Sequence, residues 1–180
     1  NWGSFWVKIS LSAAILAFLS IRFQRQETGL WRCDRHTILL GLASAVVLYI
    51  VFWMAKVAAT VLLPFAQDQI GRIYGQGQGT PLWLMIVLAL CVTGPSEEYY
   101  WRGFIQRQLM DRFGAWQGWF LATAVYAGVH VWSFNVVLIG AAWVAGAFWG
   151  LMYWRLQRLF PVIICHSVWS VLAFTLFPFG

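Results

Sequence analysis

Residues 81–113 read PLWLMIVLALCVTGPSEEYYWRGFIQRQLMDRF. Leu82 to Val92 is an unbroken apolar run, too short alone for the ~20 residues that a bilayer crossing needs. After Gly94 and Pro95 come two adjacent carboxylates, Glu97 and Glu98, and then Arg102. Further on, Gln106, Arg107, Gln108, Asp111 and Arg112 mix with Phe104, Ile105 and Leu109, as on an amphipathic helix. Read as one helix, the stretch carries two glutamates and an arginine to membrane depth, with a polar overhang after them. Ionisable groups at that depth are costly and mark function by default.

The rest of the chain makes a membrane setting plain. Five further apolar runs occur, at 5–21, 37–65, 116–132, 136–154 and 161–177. The chain has 180 residues, of which 61% are hydrophobic, 18% aromatic and only 10% charged. A soluble domain carries about 25% charged residues, so a soluble globule is excluded, and so is a disordered chain. The expected fold is all-α, a polytopic transmembrane helix bundle of about six spans. Lys8 and Lys56 fall within runs and must snorkel or face protein or water. Gly140, Gly146 and Gly150 are small residues that let helices approach. The stretch AQDQIGRIYGQGQGT (66–80) reads as a loop rather than a phosphate cradle. Cys33, Cys91 and Cys165 form no CxxC pair and read as packing residues. No repeat is visible, which gives an inverted-repeat transporter no support.

The net charge of +6 does not point to nucleic acid, because the basic residues lie in short gaps between apolar runs. The connections 22–36, 99–115 and 155–160 hold nine of the twelve Lys and Arg, against Arg72 alone on the other side. By the positive-inside rule these three are cytoplasmic, and the 66–80 segment and both ends of the chain are external.

Among residues within runs, Glu97, Glu98, Arg102, His130 and His166 stand out, while His36 borders a polar loop. Glu97 lies 17 residues before Gly114 and His130 lies 16 after it. In an antiparallel hairpin turning at Gly114, both sit roughly 24–26 Å along their helices, at one depth. His166 is seven residues past Leu159, only about 10 Å up its own helix. It meets the others only if the longer hairpin protrudes by that difference. Glu98 and Arg102 are spaced for an ion pair on one helical face. Tyr126 with His130, and His166 with Ser170, share the same spacing. A carboxylate beside a neutral histidine can deprotonate water, and a second histidine with a hydroxyl neighbour can donate to an oxyanion. That set hydrolyses an amide without a covalent intermediate. His130, His166 and Glu97 also match a His₂Glu zinc set in composition, although no HExxH is present.

These residues resemble a family. EEYYWR (97–102) matches the EExxxR motif of the CAAX prenyl protease type II and bacteriocin-processing (CPBP, or Abi) intramembrane proteases. YAGVH (126–130) is similar to its second motif, FxxxH, with Tyr for Phe. HSVWS (166–170) is similar to its third, HxxxN or HxxxD, with Ser at the last place, a shorter donor than an amide. The resemblance covers about residues 80–175 and implies a glutamate-type intramembrane endopeptidase. It implies that Glu97 and His130 activate the attacking water and that His166 and Ser170 form the oxyanion hole. Glu98 and Arg102 would support them. No cofactor is implied, with zinc as the minority alternative.

The expected organisation is N-terminal transmembrane helices and loop over 1–79 and the CPBP-like catalytic core over 80–180, as one integral domain. Expected partners are a membrane-anchored protein or peptide substrate and the lipid bilayer, with no nucleic acid. The expected location is a prokaryotic inner membrane. The competing readings are a non-catalytic immunity or scaffold protein of the same fold and a metal-dependent membrane hydrolase.

Overall fold

The computed structural model describes residues 4–23 and 33–180. Arg25 and Arg32, counted above toward the cytoplasmic charge, lie outside these. Among the described residues the chain is a bundle of helices with no strand. The helices are α1 (Phe5–Ile21), α2 (Arg35–Leu62), α3 (Ala66–Gly75), α4 (Leu82–Phe113), α5 (Ala115–Gly128), α6 (Val136–Leu156) and α7 (Phe160–Leu176). By length and composition α2, α4 and α6 can each cross a membrane, and α1 and α7 are shorter apolar helices.

Local chemistry sets the boundaries. Asp34 caps α2: its Oδ1 accepts from the Thr37 amide at 2.8 Å and the Thr37 hydroxyl at 2.6 Å. Pro64 ends α2, because the residue before a proline is driven out of the helical region, and Leu63 sits at φ −122° and ψ 109°. Gly114 makes the hairpin turn between α4 and α5 at φ 89°, which glycine adopts without strain. Outward, α2 presents apolar side chains such as Leu39, Trp53 and Val61, which match a lipid solvent.

The 66–80 stretch corrects the expectation of a loop, since its first part is α3. Ala66 and Ile70 are buried one turn apart. Asp68 in the first turn and Arg72 in the last suit the helix dipole. The loop proper is the glycine-rich part that follows. Side chains tie α3 down: Asn135 Nδ2 donates to the Gln69 carbonyl at 2.8 Å. Tyr74 donates to the Ala173 carbonyl at 2.9 Å and accepts from the Phe179 amide at 3.0 Å. Burial there pushes the Tyr74 phenol up to about 12.

The core joins α2, α5, α6 and α7 through Leu48, Tyr126, Trp149, Tyr153 and Trp169. Beside it, α4 and α6 run in register. Arg102 Nη2 donates to the Gly146 carbonyl at 3.2 Å. One turn on, Gln106 Nε2 donates to the Gly150 carbonyl at 2.8 Å. A Cβ on Gly150 would meet Gln106 Oε1 at 2.9 Å, so the glycines give the access that these donors need.

Candidate active site

Two parts of α4 are π-helical, Ala89–Thr93 and Tyr99–Gln106, flanking the short α-helical piece that carries the glutamates. Such insertions recur at functional sites. Glu98 is fully buried. Its Oε1 accepts from Arg102 Nη1 at 3.0 Å and lies 2.6 Å from His166 Nδ1. Glu98 Oε2 is buried with no protein partner. Arg102 is buried too, with its guanidinium 4.7 Å from the centre of the Tyr126 ring. It therefore drops out of the charges that orient the chain. The His166 ring stacks on Trp149 at 3.8 Å and 16°, which fixes its plane.

Glu97 points to the other partner set and is half-buried. Its Oε2 accepts from the Tyr126 hydroxyl at 3.2 Å. His130 Nδ1 lies 2.9 Å from the Tyr126 carbonyl. A carbonyl only accepts, so Nδ1 carries a proton and Nε2 is left for a further partner. Tyr126 thus holds Glu97 with its hydroxyl and His130 with its backbone.

His130 was expected inside the fourth run, but α5 stops at Gly128 and His130 begins a short 3-10 turn, Val131–Ser133. The His130 amide bonds the Ala127 carbonyl. This leaves the Tyr126 carbonyl for the imidazole, so the ring satisfies a group that the helix end orphans.

The expected depth difference is real. Counted from Glu98 to the end of α4 at Phe113 and from the start of α7 at Phe160 to His166, the reaches are about 22 Å and 9 Å. Because His166 touches Glu98, the α4–α5 hairpin extends past the start of α7. The structure joins Glu98, Arg102 and His166 by direct bonds and links Glu97 and His130 through Tyr126. Ser170 is buried one turn beyond His166, and among the described residues no bond joins it to the cluster. His166 pairs with Glu98, a contact between helices that spacing within α4 did not indicate. Gln106 and Trp149 were missed as well. Gln106 had a signal, since it continues the Glu98 and Arg102 face by one more turn.

Among the described residues no group of three His, Cys, Asp or Glu side chains is placed to hold a metal ion.

A family model described as Rce1-like, type II CAAX prenyl endopeptidase, matches residues 79–172. No curated protein and no solved structure matches the chain.

Proposed function

Because the chain belongs to the Rce1-like family of type II CAAX prenyl endopeptidases, we propose that it is an intramembrane endopeptidase that cleaves a membrane-associated protein or peptide with a water activated by Glu97 and His130. The observation that carries this reading is the bridge through Tyr126, which fixes the Glu97 carboxylate and orients His130 with Nε2 available. Water bound between them attacks the scissile carbonyl carbon, and Glu97 takes its proton. The oxyanion is held on the Nε2 side of the His166 ring and by the Ser170 hydroxyl. Collapse breaks the C–N bond, and the proton held by Glu97 passes to the leaving amine. Glu98 positions His166 through Nδ1, and Arg102 balances the Glu98 charge.

The family name directs the choice of substrate: a lipid-linked peptide ending in a CAAX sequence. The test is release of the residues beyond the prenylated cysteine by the full chain in proteoliposomes. The native chain is expected to release them, and Glu97→Gln is expected to stop it. Undiminished cleavage by folded Glu97→Gln overturns the reading.

A further inference from the structure

A second cleft lies apart from the Glu97 cluster, at the basic end of the bundle. It has a volume of about 290 Å³ and lies between the start of α2, the end of α6 and the start of α7. His36, Arg155 and Arg158 line it together with Leu40, Leu156 and Pro161. Cationic heads and an apolar wall thus share one small space.

The charges there are incompletely matched. Among the described residues Asp34 is the acid within ion-pair distance of a cleft arginine. Its Oδ1 is occupied by Thr37, and its Oδ2 is 3.7 Å from Arg158, both side chains being about one third exposed. Arg155 has no carboxylate partner among the described residues; its guanidinium lies 5.5 Å from the Trp154 ring. Trp154 packs with Trp116 and Trp119 at 6.2 and 6.1 Å. Tryptophans gather where lipid headgroups begin. An aromatic group of this kind beside the cleft suits the depth of the phosphate layer.

We propose that this cleft binds the phosphate of an anionic membrane phospholipid, with Arg155 and Arg158 on its oxygens and Leu40, Leu156 and Pro161 against the root of its acyl chains. Basic pockets between transmembrane helices suit such headgroups. The exposed Ile38 and Leu39 continue the apolar surface along α2, where the chains would lie. Free phosphate would meet the same charges but would gain nothing from the apolar wall, and this difference separates the two sources.

The test is native mass spectrometry of the full chain in detergent, offered equal amounts of phosphatidylglycerol and phosphatidylcholine. The native chain is expected to retain phosphatidylglycerol preferentially. The Arg155→Gln/Arg158→Gln variant should bind it about twenty-five-fold more weakly, from about fivefold for each guanidinium near the phosphate layer. Inorganic phosphate should not displace the bound lipid. Equal retention of the two lipids by the native chain overturns the proposal, and that measurement does not depend on any variant folding. An unchanged preference in a folded double variant, or displacement by inorganic phosphate, overturns it as well.

Discussion

His166 Nδ1 and Arg102 Nη1 meet the same oxygen, Oε1 of Glu98, at 2.6 and 3.0 Å. One buried carboxylate oxygen therefore binds α7 to α4 and also closes the ion pair within α4. A buried charge that loses its partner costs far more than the pair contributes. The two glutamates of the EE pair thus sit in different settings: Glu98 is fully buried and joins two helices, while Glu97 is half-buried and is held by the Tyr126 hydroxyl.

Glu98→Gln should lower stability by about 3–5 kcal/mol by leaving Arg102 buried without its counter-charge. Thermal unfolding in detergent reads this directly. Arg102→Ala should fall by a similar amount. Normal folding of Arg102→Ala with selective loss of turnover would instead make Arg102 a substrate-binding residue.

Glu97→Gln keeps the volume and removes the basicity. Cleavage should fall by about 10²–10⁴-fold with folding intact. His130→Ala should fall similarly, and the double variant should lose little more, because both act on one water. Ser170→Ala should fall by about 10²–10³-fold if the hydroxyl donates to the oxyanion, and Ser170→Asn should retain or raise activity.

Tyr126 offers a separation of ring from hydroxyl. Tyr126→Phe keeps the ring against Arg102 and Trp101 and deletes the bond to Glu97. It should cost no more than about 1.5–3 kcal/mol, the range for a hydrogen bond to a charged group. Tyr126→Ala also empties a packed site and should cost about 3–5 kcal/mol, as for other large aromatic side chains. Thermal unfolding of the two variants side by side separates the contributions.

The helices were legible where the apolar runs were long, and α1 coincides with its run at Phe5–Ile21. The turn at Gly114 and the Glu98–Arg102 pair were also readable, since both follow from local spacing. What was not readable depends on packing between helices. Nothing near Trp149 says that it will stack on a histidine 17 residues later. The α3 helix was hidden by glycines and glutamines that suggest a loop, while its docking residues Gln69 and Tyr74 act through partners far along the chain. The end of α5 before His130 was missed because the apolar run continues past the last helical residue.

Gly150→Ala should be destabilising by about 1–3 kcal/mol, as for an overpacked core. Its Cβ would meet both Gln106 and Trp119 at 2.9 Å. Gly140→Ala is the control, because nothing lies within 4 Å of a Cβ there, and it should hold or raise stability by up to about 1 kcal/mol, as alanine does in place of a helical glycine. Thermal unfolding of the two variants decides it.

The orientation is checked by labelling a single cysteine in the overhang of α4. With the native cysteines replaced, Gln108→Cys should react only with a reagent that reaches the cytoplasm. Labelling from outside would invert the topology.

The pairing of Arg102 with Gly146, and of Gln106 with Gly150, bears on how the chain is made. Of the three long helices, α4 is the least apolar, and within itself it pairs Glu98 with Arg102. The acceptors for Arg102 and Gln106 belong to α6, and the imidazole on Glu98 belongs to α7. Both are synthesised after it. The helix that carries Glu97 and Glu98 is thus made before the partners of its buried polar groups, which are matched only once the last two helices are in place. A nascent chain released before α6 and α7 would carry the glutamate pair without the bonds that these helices make to Glu98 and Arg102.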